Sequence, residues 1–140
     1  MGGDRGCRVV VEGARLALRA YPKIASLYLV GDQVQIRAAL AAGRPEDSRL
    51  QIVHASQVLT MEDKPLVALR KKKDCSIARA VELVADGRAE AVISPGNTGG
   101  VVAVATVRLR RLEPVDRPGI VAVIPAPENE FVLIDRKSVV

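Results

Sequence analysis

"SIARAVELVADGRAEAVISPGNTGG", residues 76–100, holds a helix pattern, a strand pattern and a glycine-rich turn in one unbroken run. Ile77, Ala80, Val81 and Val84 recur at i, i+3, i+4 and i+7, the spacing of one helix face, and Gly87 follows where a helix end favours a left-handed residue. Asp74 or Ser76 is placed to cap the start of that helix. "AEAVIS" (89–94) reads as a buried strand. Pro95 to Gly100 then hands it to a second helix, which Asn97 or Thr98 caps and which runs to about Leu109. Helix, strand and helix joined by turns this short form the repeating unit of an α/β domain.

Outward from this segment the alternation continues. Between Val9 and Tyr21, the residues Val10, Ala14, Ala17, Leu18 and Tyr21 fall at helical spacing, and Pro22 stops the pattern. "SLYLVG" (26–31) reads as a short buried strand, Asp32 as a cap, and "QVQIRAALAAG" (33–43) as a helix ending at Gly43. After the surface loop "RPEDS", "LQIVHA" (50–55) is a second strand. Beyond the central segment, Arg108, Arg110 and Arg111 sit at the negative end of the last helix. "GIVAVIP" (119–125) and "FVLID" (131–135) are two more strands, with "APENE" turning between them. The pattern predicts an α/β fold with a mostly parallel sheet flanked by helices.

Length and composition narrow the function classes. The 140 residues suit one domain with a core of its own. Hydrophobic residues make up 49% and aromatics only 2%, so the core is built from Val, Ile, Leu and Ala, the palette of buried parallel strands. Lys and Arg number 21 against 16 Asp and Glu, and the resulting charge of +5 favours anionic partners. Nucleic acid is disfavoured among these, because single-strand and RNA binders stack bases on aromatic platforms. Cys7, Cys75 and the single His54 offer no metal-ligand spacing, so no metal is expected, and two distant cysteines suit a reducing compartment. Glu12 and Arg15 interrupt the N-terminal apolar stretch, which argues against a signal peptide, and Pro95 and the glycines break the longest uncharged run, which argues against a membrane span.

Three stretches carry candidate chemistry. "SPGNTGG" (94–100) lies where a strand leads into a helix, the end of an α/β sheet at which ligands bind. Glycines admit a ligand to the backbone, and the first N–H groups of a helix suit an oxyanion, so the stretch is either a phosphate or carboxylate site or a tight capped turn. It has neither the Lys-Ser/Thr of a Walker loop nor the dinucleotide spacing. "ALRKKKDCS" (68–76) places Arg70, Lys71, Lys72 and Lys73 before a helix, either as a solvated face or toward a phosphate-rich ligand. In "MGGD" (1–4), Gly2 and Gly3 give the backbone freedom, and Asp4 either caps the following helix or faces the ligand.

Taken in order, "MGGD", "SRLQIVHAS", "PLVALRKKKDCSIARAVELVADGRAEAVISPGNTGG" and "RPGIVAVIPAPENEFVLID" resemble the N-terminal part of the bacterial phosphate acyltransferase of phospholipid synthesis, the PlsX family. The resemblance spans residues 1–135, leaving 136–140 ("RKSVV") as an unmatched tail that reads as a cloning or frameshift scar. It implies a three-layer fold like that of isocitrate and isopropylmalate dehydrogenases, and a cytoplasmic homodimer loosely associated with the membrane. The implied reaction makes acyl-phosphate from acyl-[acyl carrier protein] and inorganic phosphate without a cofactor. The residues it implies are Asp4, Asn97 and Lys72 as catalytic groups, and Gly2, Gly3, Arg70, Ser76, Gly96, Thr98 and Gly99 as the phosphate site. The sequence departs from the family pattern at Cys7, Cys75, Pro95 and Gly100, and lacks the family's first strand before "MGGD". The chain is therefore expected to be a fragment that is poorly stable or associates through exposed sheet edges. Two other classes stay open: a non-catalytic anion-binding module, and a basic interaction domain for acidic carrier protein or lipid.

Overall fold

A computed structural model of the chain describes residues 6–42, 47–60, 62–63, 71–116 and 118–135. Gly2, Gly3, Asp4, Gly43, Arg70 and the tail 136–140 lie outside these. Two compact units divide the chain, Met1–Leu109 and Arg110–Val140.

In the first unit, α1 (Gly6–Ala20) leads to β1 (Leu27–Gly31), α2 (Gln33–Ala41), β2 (Leu50–His54), α3 (Ser76–Ala85) and α4 (Thr98–Arg108). β1 and β2 pair in parallel, with Leu27 opposite Leu50 and Gly31 opposite His54. Successive strand residues alternate faces, so Leu27, Leu29 and Ile52 share one side of this ribbon. There they meet Val11 and Ala14 of α1 and Ile36 and Leu40 of α2 in one apolar cluster. Tyr28 faces the other way, and the Arg88 guanidinium just past α3 lies over its ring, 5.6 Å from the centroid. A second cluster joins Leu59, Cys75, Ile77, Ala78, Val81 and Val104, and so fixes α3 and α4 against the chain that leaves β2.

The helix ends explain themselves locally. Asp32 caps α2, its Oδ1 accepting the N–H of Val34 at 2.8 Å. α3 ends on Gly87 at φ +69°, and the Gly87 N–H donates to Val84 O while the Arg88 N–H donates to Leu83 O. That pair of bonds is the Schellman arrangement, which satisfies carbonyls the helix leaves unpaired. Arg49 ties the end of α1 to the sheet: it donates to the carbonyls of Leu18 (3.0 Å) and Ile24 (3.3 Å) while Asp47 holds it at 2.7 Å.

Several expectations need correction. α1 buries Val11, Ala14 and Leu18, whereas Tyr21 falls beyond the helix and is 65% exposed. Neither Asp74 nor Ser76 caps α3: Cys75 occupies the N-cap without a side-chain bond, and Asp74 instead accepts from Ser56 and Arg79. "AEAVIS" is not a strand. Val92 packs on the second cluster and Ile93 is 95% exposed, the alternation of a strand, but no described segment forms a ladder with it. A strand without a partner leaves its backbone groups to water and has no reason to stay extended.

The second unit carries β3 (Ile120–Pro125) and β4 (Glu130–Asp135), an antiparallel hairpin closing around Pro127 and Glu128. Among the described residues, the sheet expected to be mostly parallel is thus one parallel pair in one unit and one antiparallel pair in the other. The coarse reading stands: an α/β chain with a small parallel sheet flanked by helices.

Candidate functional site

The turn after β2 brings together two of the predicted residues, Lys72 and Asn97. Leu59 is buried in the cluster shared with α3 and α4, and anchors the segment that follows it. From Thr60 to Asp63 the chain closes on itself, with the Thr60 N–H (2.8 Å) and hydroxyl (3.1 Å) both donating to Asp63 Oδ2. This is the reciprocal of a Ser/Thr-x-x-acid capping spacing used in a turn. The entry to α4 attaches to this turn, and the entry to α3 to Ser56 and Gln57 just before it.

α3 attaches through its backbone. The Gln57 N–H donates to Asp74 O and the Ser76 N–H to Gln57 O, a parallel bridge one residue long. The Asp74 carboxylate takes the Ser56 N–H and hydroxyl at 2.9 and 2.6 Å and Arg79 Nε at 2.6 Å. The Ser56 hydroxyl and N–H, then Arg79, hold that carboxyl well below the usual carboxylate range. Ser76 is buried at the first position of the helix.

Lys72 reaches the same turn. Its Nζ donates to Asp63 Oδ2 at 2.5 Å and to Val58 O at 3.0 Å. Lys72 foremost, and then the Thr60 N–H, hold the Asp63 carboxyl below its ordinary range, so it is charged at neutral pH. Of the predicted counter-charges Lys72 is therefore an ion-paired group rather than a solvated one, and Arg70 lies outside the described residues.

α4 attaches through Asn97. Asn97 is 6% exposed and both ends of its amide bond inward: Oδ1 accepts the Gly100 N–H at 2.8 Å, and Nδ2 donates to Thr60 O at 2.9 Å and Asp63 O at 3.4 Å. An amide has two N–H donors, and both are used. Asn97 thus takes the capping alternative, and it also clamps the helix start onto the 60–63 turn. A Cβ on Gly100 would lie 3.4 Å from both Asn97 Oδ1 and Leu59 Cδ1, so cap and core close to van der Waals contact around the first turn of α4.

The helix start keeps donors to spare. No acceptor among the described residues takes the N–H groups of Thr98 and Gly99 or the Thr98 hydroxyl, and both residues are exposed. The Gly96 N–H turns back to Ser94 Oγ at 3.3 Å. Two outward N–H groups, a hydroxyl and the positive end of a helix suit an oxyanion. No three described His, Cys, Asp or Glu residues cluster to hold a metal, and among the described residues no helix is long and apolar enough to cross a membrane.

Sequence reasoning missed Asp63 and Thr60. The signal was present in the Thr-x-x-Asp spacing of "TMED", but nothing local ties that turn to Lys72 or Asn97.

A family model described as "Fatty acid synthesis protein" matches residues 1–140. A phosphate acyltransferase of Shewanella amazonensis is 46% identical over 127 residues, which cover 90% of this chain and 37% of that protein. Phosphate acyltransferases of Akkermansia muciniphila and Pelotomaculum thermopropionicum are each 44% identical, over 94% and 96% of this chain. The chain spans less than two fifths of the length of these relatives, 37–39%.

Proposed function

The chain belongs to the fatty acid synthesis protein family, and from that premise we propose that it is part of a phosphate acyltransferase making acyl-phosphate from acyl-[acyl carrier protein] and inorganic phosphate. The observation that carries this reading is the 42–46% identity, across nine-tenths or more of the chain, to proteins named phosphate acyltransferase. The open start of α4 supports it, being the kind of place a phosphate co-substrate occupies.

In the proposed reaction a phosphate oxygen attacks the thioester carbonyl. The new C–O bond forms, the C–S bond breaks, and the carrier's pantetheine thiolate leaves and takes up a proton. No covalent enzyme intermediate is needed, so the protein's work is to hold and orient a dianion and stabilise charge on the carbonyl oxygen. The N–H groups of Thr98 and Gly99 and the Thr98 hydroxyl form the cradle, with Gly96 shaping its approach. Lys72 supplies positive charge from the adjoining turn. Asn97 contributes by fixing the helix start rather than by touching phosphate. Asp4, Gly2, Gly3, Arg70 and Ser76 complete the site in this reading, with Asp4 positioning the phosphate or handling its proton.

The three-layer architecture of isocitrate and isopropylmalate dehydrogenases, a homodimer, a cytoplasmic location and loose membrane association belong to the same proposal. The test is a chimera in which residues 6–135 replace the matched segment of the Shewanella amazonensis protein. Phosphate-dependent loss of acyl thioester with appearance of acyl-phosphate is expected. A folded chimera that binds phosphate yet leaves every thioester intact would make this an anion-binding module instead.

A further inference from the structure

Lys72 and Asn97, 25 residues apart in sequence and so roughly 80–90 Å apart along a fully extended chain, meet on one residue that no catalytic role above uses. Asp63 accepts Lys72 Nζ on its carboxylate at 2.5 Å, and its backbone carbonyl accepts Asn97 Nδ2 at 3.4 Å. The same carboxylate closes the turn onto Thr60, whose carbonyl is the stronger anchor for Asn97 at 2.9 Å. An ammonium has three N–H donors. Val58 O and Asp63 Oδ2 occupy two of those on Lys72, and no acceptor among the described residues takes the third.

Resting on the phosphate reading above, we propose that Asp63 is the positioning residue of the anion site. It holds the Lys72 ammonium in one place with a donor to spare, and it sets the turn on which the α4 cap is clamped. A lysine on a four-carbon stem otherwise loses rotamer freedom when it binds a ligand. Fixing it beforehand moves that cost from binding to folding. The opposite effect, repulsion of an incoming anion by the Asp63 charge, is reduced because the carboxylate is already neutralised by the ammonium beside it.

The probe is inorganic phosphate, titrated at constant ionic strength into the 15N-labelled chain and followed at the backbone amides of Thr98 and Gly99. Asp63→Asn keeps the size of the side chain and an acceptor for the Thr60 N–H, but loses the charge that holds Lys72. It is expected to weaken phosphate binding roughly three- to tenfold, the cost of ordering one long side chain. Asp63→Glu should recover part of the loss, and in a Lys72→Met background Asp63→Asn should have little further effect, because the two act through one contact. A purely structural Asp63 would instead lower the melting temperature and leave the two substitutions additive. Equal phosphate affinity in Asp63→Asn and parent, or tighter binding in the variant, overturns the positioning role. If neither amide of the parent responds to phosphate, the anion reading falls as well, and this proposal with it.

Discussion

Asn97 is where capping and ligand binding can be separated by substitution. Its amide is spent on Gly100, Thr60 and Asp63, so Asn97→Ala removes a cap worth about 1 kcal/mol and strips a donor from two carbonyls. A fall in melting temperature of about 4–8 °C per kcal/mol is expected for a domain of this size, by calorimetry. Thr98 has the reverse profile, with an exposed hydroxyl that bonds to nothing described. Thr98→Val in the chimera should leave stability nearly unchanged while phosphate-dependent turnover falls roughly ten- to a hundredfold, the worth of one charge-assisted hydrogen bond. Unaltered turnover would take Thr98 out of the cradle. Asp47 gives a pH test of a different residue. The side-chain bonds of Arg49, and then its N–H, lower the Asp47 carboxyl from 3.8 to about 2. The folded value is the depressed one, so its stabilising contribution is complete above about pH 4 and is lost as pH falls toward about 2. Urea midpoints across that window should drop less steeply in Asp47→Asn than in the parent.

Elements that close on short-range chemistry were readable from sequence, and those that need a distant partner were not. The Asp32 cap, the Asn97 cap and the Gly87 stop each depend on residues within one helical turn, and all three are present. At Gly87 the left-handed φ leaves room for a Cβ, with nothing within 4 Å, so any penalty there is conformational and not steric. Gly87→Ala is therefore expected to destabilise the chain by about 1–2 kcal/mol, read from denaturant midpoints with an unchanged slope. A neutral result would mean that the helix end relaxes to another geometry. "AEAVIS" shows the other side. Its residues alternate as a strand should, but whether such a segment becomes one depends on a neighbour that pairs with it, which pattern alone does not supply. The Lys72–Asp63–Asn97 convergence escaped for the same reason, since "RKKKD" viewed alone is a charge run and "TMED" a loop. They come together in the fold, where Leu59 packs in one cluster with residues of both helices.

At the scale of the whole chain the two units differ in how much apolar surface they cover. The first closes two clusters around its helices. The hairpin of the second does not: Val121, Val123, Val132 and Ile134 share one face, Ile120, Phe131 and Leu133 the other, and all are between 43% and 63% exposed. Strands that read as continuous apolar runs belong to sheets covered on both sides. Left uncovered, such a ribbon presents both faces and two unpaired edges to other chains. Concentration-dependent association is therefore expected, and it can be assigned to this face without breaking the hairpin. Val123 and Val132 stand directly opposite each other, so Val123→Lys with Val132→Glu puts an attractive cross-strand pair where two apolar side chains were. Sedimentation velocity should then show the distribution shifting toward monomer, with the hairpin still present by amide exchange. If the doubly substituted chain associates as strongly as the parent, the contact must lie on another surface, because a charged pair at the centre of an apolar face leaves that face unable to pack against a second one without burying both charges.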